Sequence, residues 1–109
     1  MQIIDHKQLK EIQSHDTATI VNVLPAEAFR ETHIPGSVNI PHEHANFAEE
    51  VARVLAAKDA PVVLYCSSDQ CSASKNAAQK LVDAGFTNVM CYEGGYKEWK
   101  EQEDPRAAA

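Results

Sequence analysis

Apolar positions along this chain fall into short runs that alternate with helical spacings. Asp5, with Gln8 three positions on and Leu9 and Ile12 sharing a face, opens a capped helix that should end before Thr17. Thr19-Ile20-Val21-Asn22-Val23 then reads as a buried strand. Pro25 suits the first position of a short helix carrying Ala28 and Phe29, and Ile34-Pro35-Gly36 supplies a turn into a second short strand, Val38-Asn39-Ile40, which Pro41 stops. Phe47, Val51, Val54 and Leu55, spaced three and four apart, predict a longer helix over about 46–57 with those four on its buried face.

Pro61-Val62-Val63-Leu64-Tyr65 has no charge and two β-branched residues, the composition of a central strand covered on both faces, and it runs directly into Cys66. Beyond a polar run, Ala77, Ala78, Leu81 and Val82 continue at helical spacing to Ala84, where Gly85 ends the helix. Asn88-Val89-Met90-Cys91-Tyr92 is the last strand, and Gly94-Gly95 leads to a short helix holding Tyr96 and Trp99. Strands alternating with helices predict an α/β fold with a mostly parallel sheet, whose functional residues lie beyond the carboxyl ends of the strands. With no repeat and no linker, residues 1–104 read as one domain. The tail 105–109 lacks apolar periodicity, and its three alanines are open to being a cloning remnant.

Composition narrows the function classes. Hydrophobic residues are 44% and charged residues 24% of the 109, as in an ordinary globular protein. A net charge of −6 argues against nucleic acid or an anionic membrane as partner, since either needs a clustered basic surface. No apolar run approaches the ~18 residues of a membrane span and the N-terminus lacks the order of a signal peptide, so a cytoplasmic location is expected. Cys66, Cys71 and Cys91 are an odd set that cannot all pair within the chain, which fits a reducing compartment.

The segment Cys66-Ser67-Ser68-Asp69-Gln70-Cys71-Ser72 lies between a hydrophobic strand and a helix, where several backbone N–H groups lack helical partners. Those donors and the helix dipole are expected to converge on the Cys66 sulfur and make it a thiolate. An arbitrary cysteine is more often a small buried hydrophobe. A strand-end cysteine followed by a run of polar residues is poorly explained by packing, and the nucleophile reading is preferred.

Four segments in order, Thr32-His33-Ile34-Pro35-Gly36-Ser37-Val38-Asn39-Ile40-Pro41, Val62-Val63-Leu64-Tyr65-Cys66, Gly85-Phe86-Thr87-Asn88-Val89 and Glu93-Gly94-Gly95-Tyr96-Lys97-Glu98-Trp99, resemble the rhodanese-like domain family. The resemblance spans nearly the whole chain. It implies a three-layer α/β/α fold with a five-stranded, mostly parallel sheet, and a sulfurtransferase chemistry in which Cys66 takes up a sulfane sulfur as a persulfide and passes it to a nucleophile. Catalysis would rest on Cys66, with Ser67, Ser68, Asp69, Gln70, Cys71 and Ser72 as the cradle for the anion or persulfide. The partner implied is a small sulfur donor or a persulfide-carrying protein, without a cofactor. Related phosphatases and arsenate reductases need an arginine where this chain has Ser72, which disfavours oxyanion chemistry of that kind.

Several positions depart from the family pattern. Asn22-Val23-Leu24 stands where Asp-Val-Arg is common, Ala28 where a glutamate commonly precedes the aromatic, Thr32 where a glycine is common, Asp69 where a loop glycine is common, and Cys71 where an arginine is common. A loop with one carboxylate and no cation predicts weak thiosulfate activity, Lys75 being the nearest positive residue in sequence. Cys71 is a candidate resolving thiol, able to attack a persulfide or sulfenate on Cys66, and equally a candidate for filling the helix start. Two rival readings follow: a redox or reactive-sulfur sensor using the Cys66/Cys71 pair, and a protein-binding module without turnover. His33, His42 and His44 with the cysteines lack the paired spacing of structural zinc sites, so no metal is expected. His33 reads as a turn residue, His42 and His44 as candidates for tuning the pocket's charge, and Cys91 as core.

Overall fold

A computed structural model describes residues 1–104; the tail expected at 105–109 lies outside the described residues. Five strands form one sheet in the order β1-β5-β4-β2-β3, every pairing parallel. They are β1 (Gln2–Ile4), β2 (Thr19–Asn22), β3 (Val38–Asn39), β4 (Val62–Tyr65) and β5 (Val89–Tyr92). The helices are α1 (His6–His15), α2 (Ala26–Glu31), α3 (Phe47–Leu55), α4 (Ala73–Asp83) and α5 (Gly95–Glu103). The expected α/β fold with a five-stranded sheet is therefore present, and the sheet is parallel throughout.

Side chains alternate across a strand, so β4 feeds two cores. Val62 and Leu64 join Phe47, Val51 and Leu55 of α3 and Ala77, Ala78 and Leu81 of α4 on one face. Val63 and Tyr65 join Ile4, Leu9, Ile20, Ile34 and Tyr92 on the other, with Ile12 of α1 and Tyr96 and Trp99 of α5 packed against them. This two-sided burial is why the β4 segment carries no charge.

The first helix carries the predicted capping box: the Asp5 carboxylate accepts from the Gln8 amide at 2.9 Å, and the Gln8 side chain accepts from the Asp5 amide at 2.9 Å. Its C-cap, Asp16, sits in the left-handed region at φ 52, before Thr17 as expected. Pro25 lies one residue outside α2. Asn22 is fully buried, and its Oδ1 accepts from the Leu24 amide at 2.9 Å, so it retains a carboxylate's capacity to close the turn.

Val54, assigned to the buried face of α3, is instead 48% exposed, and Val82, at helical spacing on α4, is 36% exposed. Each lies at the margin of its helix's apolar stripe, where spacing cannot tell a buried position from its neighbour. Pattern reading also missed β1, a three-residue edge strand with Ile4 alone buried, too short to show a period.

Candidate functional site

Cys66 follows β4 directly, and the strand's alternation aims it the same way as Val62 and Leu64, into the layer under α3 and α4. It is 1% exposed. Its Sγ lies 3.4 Å from the Cys71 carbonyl oxygen, 3.6 Å from the Ser74 Oγ and 3.9 Å from the Ser68 carbonyl oxygen. Carbonyl oxygens accept and do not donate, so this surrounding suits a protonated thiol. Burial pushes the Cys66 thiol up from its ordinary value, the hydrogen bond with Cys71 adds to the rise, and the Ser74 hydroxyl and amide oppose it. The expectation of a Cys66 thiolate gripped by loop amides is corrected accordingly: in this conformation the group is a buried hydrogen-bond donor.

The loop's donors converge one thiol further along. Cys71 is half-buried, and although desolvation raises its pKa, the hydrogen bond from Cys66, the amides of Ala73 and Ser67 and the Ser67 hydroxyl together hold it below the ordinary thiol range. Other members of the expected cradle are occupied within the loop. The Cys71 amide donates to the Ser68 carbonyl at 3.1 Å, and the Gln70 amide donates to the Ser68 Oγ at 3.2 Å. Asp69, Gln70 and Ser72 line the cleft outside.

A second element fixes the loop. The amides of Tyr96 and Lys97, in the first turn of α5, donate to the carbonyls of Cys66 and Ser67 at 2.9 Å each. Gly95 makes this approach possible: its φ is +68, and a Cβ there would stand 2.6 Å from the Ser68 nitrogen and 2.7 Å from the Cys66 oxygen. The Gly94-Gly95 pair thus serves a close backbone contact with the thiol loop as well as a turn.

The cleft above the loop has a volume of about 90 Å³ and is lined by Cys71 and Ser74 together with Asp69, Gln70, Lys75 and Glu93. That is the share of about three waters in the liquid, room for a small inorganic or persulfide group. Lys75 places its Nζ 2.6 Å from a Glu93 carboxylate oxygen, which raises its pKa and neutralises its charge at the mouth. Counting Asp69, the mouth holds two carboxylates against one ammonium.

The histidines lie elsewhere. His33 stacks on Phe29 with ring centroids 4.1 Å apart and contacts the Phe29 carbonyl, and it stands just before the turn that the Ser37 amide closes on the Ile34 carbonyl, not within it. His44 pairs with Glu50 at 2.9 Å, and His42 offers its carbonyl to Lys80; neither lines the thiol cleft, so neither tunes its charge by contact. Among the described residues no three His, Cys, Asp or Glu side chains group as metal ligands do. Cys91 is buried, as read, and its Sγ lies 3.4 Å from the Ser74 Oγ.

Sequence reasoning passed over Ser74, Glu93 and the role of Gly95. Ser74 had a signal: a serine on the apolar face of α4, at helical spacing with Ala77, Ala78 and Leu81, must bury its hydroxyl and therefore needs partners, here two sulfurs. Glu93 and Lys75 belong to different elements and meet through the fold alone.

A parallel α/β sheet with a cysteine at the carboxyl end of its central strand, followed by a polar loop and a helix, defines a class of thiol-bearing α/β domains. Residues 5–102 match the family model described as "Rhodanese-like domain", and the chain belongs to that family. It is 36% identical over 84 residues to the thiosulfate sulfurtransferase GlpE of Pseudomonas syringae pv. syringae, covering 76% of this chain and 73% of that protein. Its identity to the GlpE of Shewanella oneidensis is 32% over 94 residues, covering 86% and 87%. Among solved structures, the BH2092 protein from Bacillus halodurans superposes with a TM-score of 0.81 at 28% identity, covering 94% of this chain and 73% of that one. The human single-domain sulfurtransferase TSTD1 gives 0.80 at 22% identity, covering 95% and 99%, a likeness of fold. No helix among the described residues is long and apolar enough to cross a membrane.

Proposed function

We propose that this protein is a sulfurtransferase in which Cys66 carries sulfane sulfur as a persulfide and yields it to a thiol or another small nucleophile. The observation that carries the reading is the placement of Cys66 at the carboxyl end of the central strand β4, with its Sγ 3.4 Å from the carbonyl oxygen of Cys71, whose own half-buried side chain lines the cleft. Attack requires the Cys66 proton to leave, and the neighbouring Cys71 sulfur accepts it in an uphill transfer, since Cys66 holds its proton more tightly than Cys71 does, so the reactive form is a minor one. The thiolate then attacks the outer sulfur of the donor, the donor's sulfur–sulfur bond breaks, and the donor leaves with the electron pair. The named activity of the relatives in two bacterial genera supports sulfur transfer as the reaction class.

Charge at the mouth bears on the donor. Two carboxylates against one ammonium leave the mouth with one excess negative charge, which disfavours the thiosulfate dianion and favours donors of lower charge, such as a hydropersulfide. Steady-state transfer from thiosulfate and from glutathione persulfide to a thiol acceptor tests both points. Turnover should be faster with the persulfide, and Cys66→Ser should lower it by about a thousandfold or more. Turnover that survives this substitution would end the proposal.

A further inference from the structure

Cys66 and Cys71 do not stand equally to solvent. Cys66 is 1% exposed and packed among Val21, Val23 and Ala77, whereas Cys71 is half-buried and lines the cleft. An acceptor entering through the cleft therefore meets Cys71 before it meets any sulfur carried on Cys66. The two residues are also close: the Cys66 Sγ is 3.4 Å from the carbonyl oxygen of Cys71 itself, and each thiol perturbs the ionisation of the other. Cys91 also reaches the Ser74 Oγ, at 3.4 Å, but it is buried in β5 and does not line the cleft.

We propose, resting on the sulfur-carrier reading above, that Cys71 resolves the Cys66 persulfide, so that this protein reduces sulfane sulfur to sulfide when no acceptor takes it. In that step Cys71, having passed the proton it took from Cys66 to the departing donor thiolate, attacks as a thiolate the inner, Cys66 sulfur of the hydropersulfide. A Cys66–Cys71 bond forms, the bond to the outer sulfur breaks, and that sulfur leaves with the electron pair as hydrosulfide. The two cysteine sulfurs are oxidised by two electrons in total and the sulfane sulfur is reduced by two, so the donor of sulfane sulfur is the oxidant. A dithiol reductant then returns the loop to its two-thiol state by ordinary exchange.

Ser67 and Ala73 support this assignment, because their amides and the Ser67 hydroxyl face the Cys71 sulfur and favour its thiolate, the attacking form. The same donors would otherwise be free to hold the anionic group of an incoming donor. Cys71 thus fills the loop's own anion position.

Intact-mass measurement and sulfide assay after one exposure of the full chain to excess glutathione persulfide, without added reductant, test the step. Wild type should become about 2 Da lighter and release sulfide, with peptide mapping placing the bond between Cys66 and Cys71. Cys71→Ser and Cys71→Ala, which lack the proton acceptor, should load Cys66 more slowly, become about 32 Da heavier there and release no sulfide. If wild type also keeps the heavier mass with Cys71 free, resolution is overturned while Cys66 remains a sulfur carrier. If wild type shows neither the loss of about 2 Da nor a gain of about 32 Da at Cys66, the carrier reading falls and this inference falls with it, whereas sulfide released by the Cys71 variants overturns resolution alone.

Discussion

Lys75 and Glu93 meet at the mouth of the thiol cleft, one from the first turn of α4 and the other just beyond β5, and their 2.6 Å contact pairs the only cation among the described residues that line the cleft. Replacing Glu93 by Gln leaves a neutral partner and returns the ammonium to the mouth. The KM for thiosulfate should then fall several-fold at low ionic strength with little change for a neutral or singly charged persulfide, and the gain should vanish in molar salt, where screening acts within about 3 Å. An unchanged thiosulfate KM in Glu93→Gln would show that mouth charge does not select the donor. Ser74 belongs to the same scale. Its buried hydroxyl joins the sulfurs of Cys66 and Cys91 and holds the Cys66 sulfur on the α4 side of the loop.

Helix α5 and the loop after β4 behave as one unit, because the helix's first amides take up carbonyls that the loop has no other means to satisfy. Gly95→Ala should therefore cost more than a helix-start glycine ordinarily would. A left-handed φ and a Cβ within 2.8 Å of the Ser67 carbon combine, and a loss of about 2–4 kcal/mol is expected by denaturant titration. Sulfur transfer should decline in parallel, measured under conditions where the variant is still folded, because the Cys66 carbonyl loses its fixed partner. The helices themselves were largely legible from residue order. The Asp5/Gln8 box, the Pro25 start and the Gly85 stop are local devices whose energetics involve neighbours three to five positions away. Val54 and Val82 were not, since which edge of an apolar stripe is covered depends on the partner laid against it.

At the scale of the whole molecule, the face opposite the thiol is closed by two tyrosines. Tyr65 places its hydroxyl 2.9 Å from the Ile34 amide and 2.8 Å from the Ser37 hydroxyl, and Tyr92 donates to a Glu98 carboxylate oxygen at 2.8 Å. Burial pushes both phenols up, and the Glu98 carboxylate raises Tyr92 further. A phenol whose pKa is raised by folding stays protonated while the unfolded chain ionises. Stability is therefore fully present below the ordinary tyrosine value of about 10 and is lost as the pH rises beyond it. Thermal melting followed from about pH 8 to about pH 11 should show that decline, and Tyr92→Phe should flatten it in part, leaving the share due to Tyr65. A variant with the wild-type slope would remove Tyr92 from the account.

Residue order alone determined the run of elements, the parallel α/β arrangement and the place of Cys66 at the end of the most apolar strand, because each rests on patterns only a few residues long. It also contained, unread, the period of two that aims Cys66 with Val62 and Leu64 into the core. What tertiary structure alone decided is which sulfur the loop's donors surround, which charges meet at the mouth, and how closely α5 approaches the thiol loop. Those outcomes join residues distant in sequence or depend on the exact path of a six-residue loop, 67–72, whose amides can turn toward either thiol. Packing of α4 and α5 against the end of β4 fixes that path, and with it the division between a buried thiol and an ionisable one.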